Sequence, residues 1–209
     1  MRLTDLPAPI PASLPPGLEA GLRAYAGLLR DYAPALDLVS GAFLSDLDEK
    51  LLDALAYLAP LDATPGLSGL LDLGSGAGLP GVPLALARPA WRVHLVEVRS
   101  RRAAFLETAA ARLGLKNVTV HRADVRRVNA PVQAVTAQAV GRLGEVVALA
   151  AHLDPALVAS RKGADEVTDE SAGLPGGWAA EAFPLRAAPG GRSVILAARR
   201  APVSAAVRA

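Results

Sequence analysis

The chain has 209 residues, 52% of them apolar and 20% charged, which gives ample material for a buried core and excludes a disordered or coiled-coil chain. It has no cysteine, and its histidines stand only at 94, 121 and 152. Disulfide scaffolds, zinc knuckles, thiol nucleophiles and local metal-ligand spacings are thereby set aside, and no metal is expected. The net charge of +2 conceals an uneven distribution: residues 1–70 carry four basic and nine acidic side chains, and residues 71–163 carry thirteen and six, a balance that suits a phosphate-bearing partner or an ordinary solvated face.

In chain order, prolines at 7, 9, 11, 15 and 16 predict an extended arm where a leader would need an apolar run. No window approaches eighteen uninterrupted apolar residues. A soluble, cytoplasmic protein with no membrane partner, acting as a monomer, is expected. Leu18, Leu22, Tyr25, Ala26 and Leu29 form one apolar stripe of a helix. Asp31 to Gly41 reads as a break around Pro34. Ser45 with Asp48 resembles a capping box, and Leu51, Leu52, Leu55 and Leu58 continue a second helix to Pro60. These elements make residues 1–60 an N-terminal arm and helical cap.

From residue 69 to 209 the pattern is that of a second unit, in which short apolar runs alternate with helices. Strands are predicted at Leu70–Leu73, Val93–Val96, Val118–Val120, Ala134–Thr136 and Ala156–Ala159, with helices at Arg101–Leu113 and Leu143–Leu153 between them. The alternation implies right-handed crossovers and a parallel sheet covered on both faces. Glu181 to Arg186, Pro189-Gly190-Gly191 and Ser193 to Leu196 read as a hairpin that adds antiparallel strands at the sheet edge.

The strongest site signal is Asp72-Leu73-Gly74-Ser75-Gly76-Ala77-Gly78-Leu79-Pro80 at a strand-to-helix junction, where ligands of doubly wound sheets sit. A dinucleotide fingerprint would place its third glycine at 79, which is leucine. An acidic residue before Gly-x-Gly-x-Gly instead fits S-adenosylmethionine (SAM), whose sulfonium carries positive charge and no phosphate, and Asp72 suits such a ligand. Glu97, 19 residues after Gly78, ends the second strand and can accept both ribose hydroxyls. Asp124, beside Ala123 after the third strand, can accept from an adenine amino group. The competing view is a structural turn with two surface carboxylates.

The stretch Leu71-Asp72-Leu73-Gly74-Ser75-Gly76-Ala77-Gly78-Leu79-Pro80-Gly81-Val82-Pro83 closely resembles the glycine loop of the RsmG (GidB) methyltransferases. Glu97-Val98-Arg99-Ser100-Arg101-Arg102-Ala103-Ala104-Phe105-Leu106, Gly114-Leu115-Lys116-Asn117-Val118, Arg122-Ala123-Asp124 and Arg161-Lys162-Gly163 are also similar to segments of that family. The resemblance covers 69–163, is weak over 17–59, and stops there. It implies a Rossmann-like, SAM-dependent methyltransferase fold in the α/β class, with a mostly parallel seven-stranded sheet, an antiparallel edge strand and N-terminal helices. It implies transfer of a methyl group from SAM to N7 of a guanine in 16S ribosomal RNA, with the small ribosomal subunit as partner.

The residues so implied for the cofactor are Gly74, Gly76, Gly78, Leu79, Glu97, Ala123, Asp124 and Gln138. For substrate they are Arg142 and Lys162, the latter just past the fifth strand. No catalytic acid or base is expected, because N7 carries a lone pair and loses no proton on methylation. Departures stand beside the matches. The family's Ser-Arg-Ala-Phe-Ala reads Ala137-Gln138-Ala139-Val140-Gly141, and its Asn-Leu-Thr-Ala is reduced to Asp37-Leu38-Val39-Ser40. A SAM-dependent enzyme acting on a small molecule, or a catalytically impaired SAM-fold protein that binds RNA, are the alternatives. Arg99, Arg101, Arg102, Arg122, Arg126 and Arg127 cluster where RNA phosphates would lie. His121 and His152 read as structural histidines. Asp165-Glu166 with Asp169-Glu170 reads as a solvated helix face.

Overall fold

The structure, a computed structural model, describes residues 13–185 and 192–200. The start of the Pro-rich arm and the turn at Pro189-Gly190-Gly191 lie outside them. Leu18, Leu22, Tyr25, Ala26, Leu29 and Ala33 form the buried stripe of α1, Leu18–Leu36. The helix runs through Pro34, where a break was expected. Proline sacrifices one backbone hydrogen bond near the helix end, and the buried Ala33 and Leu29 hold the turn before it. Asp37, at φ 50°, ends the helix in the left-handed region.

The rest of the cap is three short helices, α2 (Gly41–Ser45), α3 (Leu47–Leu55) and α4 (Leu58–Asp62), where one helix was expected. The expected capping box at Ser45 is not formed. Ser45 ends α2, and its hydroxyl donates to the Ala42 carbonyl at 2.7 Å. Ser40 supplies the cap instead, its hydroxyl accepting from the Phe43 N–H at 3.2 Å.

The sheet consists of β1 (Gly69–Leu73), β2 (Arg92–Val96), β3 (Val118–His121), β4 (Ala134–Ala137), β5 (Leu157–Gly163), β6 (Trp178–Pro184) and β7 (Ser193–Arg200), in the order β3-β2-β1-β4-β5-β7-β6. The first five strands are mutually parallel; β7 pairs antiparallel with both β5 and β6. The antiparallel addition thus closes the edge expected for it, with β6 outermost. The fifth strand is longer than the sequence suggested, so Lys162 lies inside β5, opposite Val194, and not beyond it.

Period-two alternation divides the sheet into two faces. Leu70, Val93, Leu95, Ala134, Leu157, Ala159, Ile195 and Ala197 join a core shared with α1, α3, α4, α5 (Gly81–Ala87) and α6 (Ser100–Arg112). Leu71, Leu73, Val96, Val135, Ala137, Val158 and Leu196 face the other core, beneath α7 (Leu143–Leu149). The cap and the sheet therefore share one apolar cluster. Each buried leucine in it stabilises the fold by roughly 1.5–3 kcal/mol relative to exposure.

Polar ties place α3 against the strand ends. Asp53 is buried and pairs with Arg161 at 3.1 Å. Burial pushes its carboxyl upward, an effect opposed by Arg161 and Lys50. The Tyr57 hydroxyl donates to the Ala137 carbonyl at 3.2 Å and accepts from the Arg161 N–H at 2.9 Å. These contacts set the cap over the carboxyl ends of β4 and β5.

Candidate active site

Beyond β1 the backbone turns through three left-handed glycines: Gly74, Gly76 and Gly78, at φ 69°, 55° and 95°. A side chain is strained at such angles, which accounts for glycine at all three. The turn is stitched by the Ser75 N–H to the Val96 carbonyl at 3.0 Å and the Ser75 hydroxyl to the Asp72 carbonyl at 2.8 Å. Tyr25 of α1 donates its hydroxyl to the Ala77 carbonyl. The N-terminal cap thus helps to shape the loop.

Asp72 is fully buried beneath this turn and lines neither cavity described below. Its carboxylate accepts from the Thr136 hydroxyl at 2.8 Å and the Gly81 N–H at 3.2 Å. Burial raises its pKa to about 6, against the pull of Thr136, Ser75 and Gly81. The expectation that Asp72 faces a cationic ligand is corrected: the side chain clamps β1 to β4 and to the start of α5.

Glu97 follows β2 and is 5% exposed. One carboxylate oxygen accepts the Gly76 N–H at 3.0 Å and the other the Arg99 N–H at 2.8 Å. A carboxylate has about four lone-pair sites, so both oxygens retain capacity toward a ligand.

Two cavities meet at this residue. The larger, about 360 Å³, lies over the glycine loop and includes Gly74, Gly76, Leu79, Glu97, Gln138 and Ala139 in its lining. Its size falls within the ordinary range of small-molecule pockets, about 300–1,000 Å³. The smaller, about 220 Å³, is mostly apolar and holds Ala123 and Asp124. Both include Gly74, Glu97 and Val140. Val98 and Val140, the exposed large apolar side chains among the described residues, both line the smaller cavity. Asp124 also caps a short turn, accepting the Arg126 N–H at 2.9 Å.

Seven of the eight expected cofactor residues are thus brought together. The exception is Gly78, which lines neither cavity. A Cβ there would stand 2.6 Å from the Tyr25 hydroxyl and 2.8 Å from Val82, so this glycine serves packing within the protein.

The two expected substrate residues also lie outside both cavities. The Arg142 guanidinium donates to the Asp169 carbonyl at 3.0 Å. Lys162 Nζ pairs with Glu170 at 2.8 Å and donates to the Gly141 carbonyl at 2.7 Å. Asp165, Glu166 and Asp169 are exposed, as expected of a solvated face, but Glu170, on α8 (Val167–Ala172), is buried and departs from it. Burial pushes its carboxyl up, but Lys162, the Leu143 N–H and Arg142 outweigh it and the net shift is downward.

Sequence reasoning missed part of the wall. Leu38, Val39 and Phe43, from the cap, line the larger cavity together with Arg99 and Arg102. Arg102 also donates to the Asp37 carbonyl at 3.2 Å, tying the end of α1 to α6. The available signal was Asp37-Leu38-Val39-Ser40, a motif position whose link to the loop is visible only after folding. His94 and His121 pair at 2.9 Å across β2 and β3, and His152 contacts the Val128 carbonyl. Among the described residues no cluster of His, Cys, Asp and Glu is arranged to hold a metal ion.

The sheet order, the glycine turn and the carboxylate after β2 define a Rossmann-like methyltransferase. Solved structures with the same fold include magnesium protoporphyrin IX methyltransferase (ChlM) from Synechocystis PCC 6803, with TM-score 0.61 and 18% identity over 91% of this chain and all of the other. TrmN from Thermus thermophilus gives TM-score 0.53 and 23% identity over 72% of this chain and 48% of that one.

The chain belongs to the GidB family, rRNA small subunit methyltransferase G, whose model matches residues 19–168. Ribosomal RNA small subunit methyltransferase G of Nitrosospira multiformis is 49% identical over 105 residues, covering 49% of this chain and 47% of the relative. That of Acidothermus cellulolyticus is 45% identical over 116 residues, 56% of this chain and 51% of the relative. The chain therefore spans about half the length of these two curated relatives. The Azoarcus protein of the same name is 35% identical over 194 residues, 90% of each chain.

Proposed function

We propose that this protein transfers a methyl group from SAM to N7 of a guanine in 16S ribosomal RNA, as a cytoplasmic monomer acting on the small subunit or its RNA. The observation that carries this reading is the pair of cavities meeting at Glu97, in a chain whose family match runs through all of their lining residues. SAM, when bound, supplies an electrophilic methyl group on a sulfonium.

In this reading the chain holds that ligand in three places. Glu97 accepts from the ribose hydroxyls with the lone pairs left over from Gly76 and Arg99. Val98 and Val140 offer apolar surfaces to the adenine, with Asp124 at its amino edge. Gly74 and Gly76 allow close backbone approach to the amino-acid portion. Leu38, Val39, Phe43 and Gln138 wall the far end and exclude water from the reacting atoms.

The titratable side chains of the larger cavity are Glu97, Arg99 and Arg102, and in this reading the carboxylate is taken up by two backbone amides and the ribose. A nucleophile that must first lose a proton would be poorly served here. An N7 lone pair, which needs only alignment, is well served. Gln138, where the family carries arginine, is the one observation that favours a second reading, a SAM-fold protein impaired in transfer.

The test is incubation of the purified protein with labelled SAM and unmethylated 16S RNA or small subunits, followed by mapping of the label. Label on one guanine N7 supports the reading. SAM binding without transfer to RNA moves it to the impaired or small-molecule alternative.

A further inference from the structure

The three residues that follow the cavity-lining stretch Gln138-Ala139-Val140 are each tied to β5, the neighbour of β4, or to α8 beyond it. The Gly141 carbonyl accepts from Lys162 Nζ at 2.7 Å, the Arg142 guanidinium reaches the Asp169 carbonyl at 3.0 Å, and the Leu143 N–H donates to Glu170 Oε2 at 2.6 Å. Glu170 Oε1 holds the same Lys162 Nζ at 2.8 Å. One carboxylate therefore governs two of the three ties, and the side chains of Lys162 and Glu170 are only 10% and 7% exposed. An ion pair so removed from water persists when its partners are all placed, and it loosens its surroundings when one is lost.

The stretch it anchors is under constraint. Ala139 is held at φ 56°, where a residue with a Cβ seldom rests unless its neighbours fix it. Val140 lies against Gly74, close enough that a Cβ on the glycine would stand 2.8 Å from its methyl group. Because Val140 borders both cavities, any shift of this stretch changes the walls of both.

We propose that Glu170 is a positioning residue for the methyl-transfer site: through Lys162 and the Leu143 amide it fixes Gln138-Ala139-Val140 over the glycine loop. The inference rests on the cofactor reading above. Glu170 touches neither cavity and acts only through the stretch it holds.

Glu170→Gln keeps the side chain's size and its acceptor for Leu143 but cancels the charge opposite Lys162. Lys162→Met removes the other partner. SAM affinity by calorimetry should fall about tenfold in each single variant, and the double variant should be no weaker than the worse single. Amide exchange across 138–143 should quicken in all three. A merely structural role would lower the melting temperature and leave affinity and local exchange unchanged. Glu170→Gln that is folded, binds SAM as the wild type does and exchanges at the wild-type rate overturns the proposal alone. A wild-type protein that takes up no SAM overturns the cofactor reading and this inference with it.

Discussion

Gly76 donates its backbone N–H to the Glu97 carboxylate at 3.0 Å, so the turn after β1 and the residue after β2 are one hydrogen-bonded unit. The link ties the loop's geometry to the carboxylate proposed to read the ribose. Glu97→Ala removes that acceptor and frees the Gly76 and Arg99 amides. Weaker SAM binding is expected, by about 1–3 kcal/mol, as for loss of a charged hydrogen-bonding group. Titration calorimetry on a folded variant checks it, and wild-type affinity there would remove Glu97 from the site.

Gly78 illustrates a different demand on the same loop. At φ 95° and with Tyr25 and Val82 crowding the site, Gly78→Ala combines backbone strain with overpacking. Together these should cost about 2–5 kcal/mol of stability. Tyr25→Phe removes the hydroxyl that a new methyl group would meet, and with it the Ala77 contact. The double variant should therefore recover part of the loss in denaturant melts, and a Gly78→Ala protein as stable as wild type would refute the packing account.

Acid titration separates a buried carboxyl from a half-buried histidine pair. Asp72 has a folded pKa near 6, above its ordinary 3.8, so it holds its proton longer when folded. Its contribution to stability is full below about pH 4 and is lost as pH rises to about 6, a change of about 3 kcal/mol. His94 and His121 act in the opposite sense. Burial, with mutual repulsion and Arg92 at His94, lowers their pKa values below 6.5, so stability is lost as pH falls through that range. Asp72→Asn should therefore gain stability over wild type as pH rises from 4 to 6, with the difference constant above. A pH-independent difference in chemical denaturation would show that Asp72 titrates normally.

The sheet was largely legible because its strands are short apolar runs that stop at a glycine turn or a carboxylate, as Leu70–Leu73 does at Gly74 and Val93–Val96 does at Glu97. Those same stops, Gly74 and Glu97, lie in the lining of both cavities. Pro34 misled, because a proline near the end of a nineteen-residue helix loses one hydrogen bond and the helix continues around it. Glu170 misled for another reason. An acidic run reads as solvated until the fold brings a lysine from β5 and a helix amide against one of its members. Leu38, Val39 and Phe43 reach the cavity through tertiary packing, of α1 on α5 and α6 and of α2 on α1 and α3, which no local pattern announces.

Gln138 lines the larger cavity just past β4, beside the glycine loop, at the position where the family's motif carries arginine. Glutamine keeps two donors and an acceptor but lacks the fixed charge and the five-donor fork of arginine. The Arg142 guanidinium lies outside the larger cavity and donates to the Asp169 carbonyl on α8. Loss of one charged hydrogen bond at a reacting edge costs about 1.5–3 kcal/mol, or roughly ten- to a hundredfold in rate. Slow methylation is therefore expected of the wild type under single-turnover conditions. Gln138→Arg should raise the transfer rate to small-subunit RNA by about that factor while changing SAM affinity much less. Arg142→Ala should leave the rate near that of wild type. Equal measurable rates for wild type and Gln138→Arg would show that position 138 does not limit transfer. No transfer to RNA by either protein, with both binding SAM, would shift the weight to the small-molecule or impaired reading.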